Sequence, residues 1–125
     1  MARQTKILII EDDESIVEAL QIALESVGLK TEALLRVDQV VPQIVKIEPQ
    51  LILLDLLLSG KNGSEIAGEL KKDSSTSHIP IIMLSAHPSA KQIALASGAD
   101  DFLAKPFDIS QLYALVSKYS SFKIS

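Results

Sequence analysis

The sequence predicts a doubly wound α/β domain, with a five-stranded parallel sheet in the order 2-1-3-4-5 and five helices. Aliphatic runs at 6–11, 51–55 and 81–84 are too continuous for a sheet with one wet face and suit strands covered on both sides. Helix-period segments bounded by capping residues, glycines and prolines alternate with them, and strand–helix alternation implies a parallel sheet. The chain has 125 residues, 47% of them hydrophobic, enough for one domain with its own core.

The elements follow in order. The run KILIIE (6–11) is the first strand, and Asp13 is the N-cap of a helix that turns Val17, Leu20, Leu24 and Val27 inward before Gly28 stops it. Residues 30–35 form a weaker strand whose Lys30 and Glu32 suit a sheet edge. A second helix runs from Asp38 to about Glu48, ahead of Pro49. Pro42 sits just past the positions where proline is tolerated, which predicts a late start or an irregular first turn. Residues 51–55 are the third strand, and Gly63 to Lys72 the third helix, with Ile66, Ala67 and Leu70 on one face. After a polar loop come the fourth strand (Ile81 to Leu84, ending at Ser85) and a helix opened by Pro88-Ser89 and closed by Gly98. Asp101 to Ala104 is the fifth strand. Asp108 caps a last helix that carries Ile109, Leu112, Leu115, Val116 and Tyr119 inward.

Composition excludes several functions. With no cysteine, disulfides, thiolate metal sites and cysteine nucleophiles are ruled out. The net charge of −4 without any Lys/Arg cluster argues against direct nucleic-acid binding. No apolar run is long enough to span a bilayer, and the N-terminus leads at once into a strand without room for a signal peptide. The expectation is a cytoplasmic domain over residues 1–125, core about 6–119, with no membrane contact and no output domain. Met1 mildly favours a chain that begins there.

Doubly wound sheets bind ligands beyond the carboxyl ends of their strands, where the strand order reverses. The first strand ends in Glu11-Asp12, the third in Asp55, the fourth in Ser85 and the fifth in Lys105; in the order 2-1-3-4-5 these ends lie side by side. The second strand ends in Leu34-Leu35 and adds nothing polar. Asp55 is the expensive residue, because a lone carboxylate inside LILLDLLL must find a partner or neutralise. Three carboxylates on one rim repel by on the order of 4 kcal/mol per close pair at an effective dielectric of about 20, more than Lys105 alone offsets. Hard oxygen donors with room for water suit Mg²⁺. A carboxylate beside Mg²⁺, a lysine and a hydroxyl is a candidate phosphoryl acceptor. Taken singly, each residue has an ordinary explanation. Asp12, Asp13 and Glu14 can be helix N-terminal charges, Ser85 a turn residue and Lys105-Pro106 a strand terminator. Their convergence at adjacent strand ends is what those explanations leave out.

Four segments, ILIIEDDESI, LILLDLLLSGKNG, IPIIMLSA and GADDFLAKPF, resemble in order and spacing the response-regulator receiver domains of two-component signalling, from about Lys6 to Tyr119. The resemblance implies a flavodoxin-like fold and a domain that catalyses only its own phosphorylation and dephosphorylation. It makes Asp55 the phosphoacceptor, with Mg²⁺ held by Asp12, by Glu11 directly or through water, by Asp55 and by the backbone carbonyl of Leu57. Ser85 and Lys105 would contact the phosphoryl group, Phe102 would be the aromatic switch that follows Ser85, and the Lys105-Pro106 bond would be cis. The phosphoryl donor would be a histidine kinase or histidine phosphotransfer protein docking beside the rim on the first helix. Ile16 and Ile22 there read as partly buried aliphatics or as docking residues. An unknown output partner would bind the fourth helix, fifth strand and fifth helix. The chain departs from the family pattern at Glu11 for aspartate, Ser59 for proline, Asn62-Gly63 for Asp-Gly and Ser85 for threonine. No required group is lost, and the Ser59–Gly63 loop is expected to be more mobile. His87, two residues past Ser85, is close enough to the site to affect water access or donor choice, or reads simply as a solvated loop histidine, and His78 receives no role.

The alternative within this fold is a phosphorylation-independent interaction domain. A flavodoxin-like cofactor site needs a Ser/Thr/Gly phosphate cradle where this chain has Glu-Asp-Asp, and a dehalogenase-type phosphatase needs a second aspartate where it has Leu57.

Overall fold

The computed structural model describes residues 6–34, 38–58 and 61–120. Its elements run β1 (Lys6–Ile10), α1 (Glu14–Glu25), β2 (Lys30–Leu34), α2 (Val40–Ile47), β3 (Leu51–Asp55), β4 (Leu57–Leu58), β5 (Lys61–Asn62), α3 (Gly63–Lys72), β6 (Ile81–Ser85), α4 (Ala90–Ser97), β7 (Asp101–Ala104) and α5 (Ile109–Tyr119). The main sheet has the order β2-β1-β3-β6-β7 with every pair parallel, so the expected 2-1-3-4-5 order holds once β4 and β5 are set aside. Those two form a short antiparallel pair, Leu57 opposite Asn62, that the sequence reading did not anticipate.

Period-2 alternation of apolar side chains divides the core into two layers. Leu8, Ile10, Ile52, Leu54, Ile81 and Met83 face α2, α3 and α4, where Ile44, Ile66, Leu70 and Ala94 meet them. Ile7, Ile9, Leu51, Leu53, Ile82 and Leu84 face α1 and α5, meeting Leu20, Leu24, Leu112 and Val116. The central strands are therefore apolar on both faces, which leaves polar groups only at the strand ends. Lys30 and Glu32 of β2 are exposed on the sheet edge, as expected.

Several boundaries have clear local causes. The Asp13 carboxylate accepts the N–H groups of Ser15 and Ile16 at the start of α1. These bonds, the Ser15 hydroxyl first, hold its pKa below the usual carboxylate range. Asp38 does not cap α2. The helix starts two residues later from Gln39, whose backbone is left-handed at φ 53°, so Pro42 falls at the third helical position, where no intrahelical N–H bond is required. Of the two outcomes inferred from Pro42, a late start or an irregular first turn, the chain adopts the late start. The Asn62 side chain caps α3 by accepting the Ser64 N–H, and at α5 the Gln111 side chain accepts the Asp108 N–H. Ile109 is a correction: it is 51% exposed rather than inward, because as the first residue of α5 it borders an open groove beside α1 instead of packing under the helix. Leu35 and Ser59, and with Ser59 the expected loop mobility, lie outside the described residues.

Among the described residues no helix is long and apolar enough to cross a membrane.

Candidate functional site

The ends of four strands meet at one rim. Glu11 follows β1 and is 2% exposed, Asp55 closes β3, and Ser85 closes β6; all three are buried. Asp12, on the turn into α1, is exposed. One carboxylate oxygen each from Glu11, Asp12 and Asp55 lie within 4.8 Å of one another, close enough to hold a single metal ion. Lys105 follows β7 and brings its Nζ to 3.4 Å from both Glu11 Oε1 and Asp55 Oδ1. Its backbone N–H donates to the Ser85 carbonyl at 2.9 Å, so lysine and serine are held on one rung of the sheet. The Lys105-Pro106 peptide is cis, as the resemblance implies.

Glu11 shows the strain of this arrangement. Its Oε2 is buried with no hydrogen-bond partner among the described residues. Burial raises its pKa to about 8, helped by the hydrogen bond and charge of Asp55 and opposed by Lys105. One lysine does not satisfy the cluster: it reaches Glu11 Oε1 and Asp55 Oδ1 but leaves Glu11 Oε2 without a hydrogen bond among the described residues.

The remaining expected site residues are placed as follows. Leu57 lies just beyond Asp55, its side chain 62% exposed and its N–H 3.4 Å from Asp55 Oδ1. Phe102 sits in β7 opposite Met83, half-buried against the layer beneath α3 and α4, apart from the acid cluster. The Ser85 hydroxyl accepts the His87 N–H at 2.9 Å.

Gly63 is the residue that the sequence reading missed at this site, where it served only as a helix start. A Cβ there would collide with the Asp55 carbonyl oxygen and the Leu56 backbone, and the Gly63 N–H donates to the Leu56 carbonyl at 2.7 Å. Glycine lets the start of α3 press directly on the backbone of the acidic strand end. The signal available in the sequence was a glycine at the close of the turn that follows Asp55.

The model of the response regulator receiver domain matches residues 7–117. The chain belongs to that family. The DNA-binding response regulator MtrA of Mycobacterium tuberculosis is 37% identical to the receiver domain over 113 residues, which are 89% of this chain and 48% of that protein. The chain thus spans about half the length of the curated relatives it matches. A putative response regulator from Chloroflexus aurantiacus superposes with a TM-score of 0.88 at 29% identity, over 94% of this chain and 98% of that one. The receiver domain of a sensor histidine kinase from Pseudomonas aeruginosa, solved with magnesium coordinated in its active site cleft, has a TM-score of 0.84 at 24% identity, over 94% and 98% of the two chains. That last likeness bears on the fold.

Proposed function

We propose that Asp55 accepts a phosphoryl group from a phosphohistidine on a histidine kinase or histidine phosphotransfer protein, and that this switches a partner-binding surface. One observation carries the reading: Glu11, Asp12 and Asp55 converge within 4.8 Å, with Lys105 3.4 Å from two of them. The donor set fits Mg²⁺, since all donors are hard oxygens and Glu11 Oε2 is buried without a partner among the described residues. The magnesium in the cleft of the Pseudomonas receiver domain supports the same choice. Glu11, Asp12, Asp55 and the Leu57 carbonyl would hold the ion, which when bound neutralises charge on the phosphoryl oxygens.

The protein's own groups do the rest. An Asp55 oxygen bonds to phosphorus as the phosphorus–nitrogen bond of the donor breaks, and the donor imidazole leaves with the electron pair and takes up a proton. Lys105 turns its ammonium to the incoming phosphoryl oxygens, and the Ser85 hydroxyl donates to one of them. Both come from the same backbone rung, so the two contacts are set together. On this reading the domain catalyses only its own phosphorylation and dephosphorylation.

A groove of about 530 Å³ between α1 and the β7–α5 turn favours docking of the donor there; Ile16, Ala19, Phe107 and Ile109 line it, and Lys105 belongs to both groove and acid cluster. Ile16 is half-buried on this groove and Ile22 is 63% exposed. The output surface is the α4–β7–α5 face, which carries Phe102.

Incubation with Mg²⁺ and acetyl phosphate tests the reading. The expected result is a mass gain of one phosphoryl group that disappears with chelator and in Asp55→Asn. A protein that gains nothing is a phosphorylation-independent interaction domain instead.

A further inference from the structure

We propose that His87 is a positioning residue for the Ser85 hydroxyl, holding the turn between β6 and α4 through its imidazole. The inference rests on the phosphoacceptor reading above and deepens it. Three hydrogen bonds meet at His87. Its N–H donates to Ser85 Oγ at 2.9 Å, its Nδ1 accepts the Ser89 N–H at 3.0 Å, and its carbonyl accepts the Ala90 N–H at 3.0 Å. Ser89 is the N-cap of α4 but makes no side-chain cap bond among the described residues. Two of the N–H groups at the start of α4, those of Ser89 and Ala90, are therefore served by His87, one by its ring and one by its carbonyl.

The consequence falls on Ser85. A hydroxyl has one O–H and two lone pairs. With the His87 N–H occupying one lone pair of a side chain only 2% exposed, the directions left to the O–H are restricted. Where that N–H points depends on the turn, and the imidazole–Ser89 bond closes the turn. A neutral imidazole that accepts at Nδ1 carries its proton on Nε2, so the geometry commits the ring to one tautomer. The ring thus sets the aim of the hydroxyl without touching the phosphoryl group.

The test uses the full chain. The imidazole ¹⁵N spectrum should show Nδ1 as the unprotonated nitrogen of His87. His87→Ala should slow phosphorylation by acetyl phosphate about three- to tenfold, the change that one neutral hydrogen bond carries. His87→Asn, whose side-chain carbonyl can accept the same amide two residues on, should return the rate to within about twofold. In a Ser85→Ala background, His87→Ala should change nothing further, because the histidine acts through the hydroxyl. A His87 protonated on Nδ1 overturns the proposal, as does failure of Asn to rescue or an undiminished effect without Ser85. A native protein that gains no phosphoryl mass overturns the phosphoacceptor reading and this inference with it. A phosphorylated native protein matched in rate by His87→Ala overturns this inference alone.

Discussion

Replacing Glu11 by glutamine in the metal-free protein should flatten a pH dependence of stability that the native site carries. Glu11 is 2% exposed, has no partner for Oε2 among the described residues, and is pushed up to a pKa of about 8 from the ordinary 4.5 by burial. Because the folded value is the higher one, the folded protein keeps a proton that the unfolded chain has released between those two values. The stability from this group is whole below the lower value, falls as pH rises through the window and is fully lost above the higher one. The slope approaches one proton, about 1.4 kcal/mol per pH unit, so between about pH 5 and about pH 7 the native protein loses roughly 2–3 kcal/mol. Glutamine matches the protonated carboxyl in shape and has an N–H to offer Asp55, so the variant keeps that stability. For a domain of this size the difference in melting temperature should widen by on the order of 10 °C across that range. Thermal melts of both proteins in chelator, at intervals across the window, give the comparison. Parallel pH profiles would refute the assignment of the proton to Glu11. Mg²⁺ needs the ionised carboxylate, so its binding should release a proton in the same window, and its affinity should weaken by up to about tenfold per pH unit below about pH 8.

Three further predictions concern single side chains. Gly63→Ala forces a methyl group against the Asp55 carbonyl and should cost about 2–4 kcal/mol in urea unfolding; a loss below about 0.5 kcal/mol would mean that the start of α3 can move away freely. Asp12→Asn should raise the melting temperature of the metal-free protein by a few degrees and cut the gain conferred by millimolar Mg²⁺ by at least about half, both read in one set of melts. Thr76 is fully buried and its hydroxyl donates to the Leu70 carbonyl at 2.7 Å in the last turn of α3. Thr76→Val should cost about 1–2 kcal/mol by urea midpoint, and Thr76→Ser much less.

The sheet was legible because its central strands are buried on both faces, so Ile7 to Ile10, Leu51 to Leu54 and Ile81 to Leu84 read as unbroken aliphatic runs. The acid cluster was legible for the same reason: Glu11, Asp55 and Ser85 are the polar residues that follow those runs, and parallel order brings their ends together. Features governed by backbone approach were not. The pairing of Leu57 with Asn62 uses main-chain groups and leaves no periodic pattern. The demand for glycine at position 63 arises from the Asp55 carbonyl, a contact that sequence spacing does not encode. Ile109 fitted the helical stripe of Leu112 and Val116, but a stripe says nothing about which of its residues stands at the open first position of the helix. The bonds of His87 were not legible either: Ser85 and Ser89 stand two residues to each side, but a ring nitrogen accepting a main-chain N–H leaves no pattern of residue types.

The most direct test of the central claim is to locate the phosphoryl group by residue. Borohydride reduction of the protein after reaction with acetyl phosphate and Mg²⁺ converts an aspartyl phosphate to homoserine, which peptide sequencing finds. The geometry at the rim predicts homoserine at position 55 and nowhere else. Homoserine at Asp12, or an unmodified Asp55 in a protein that has gained phosphoryl mass, would contradict it.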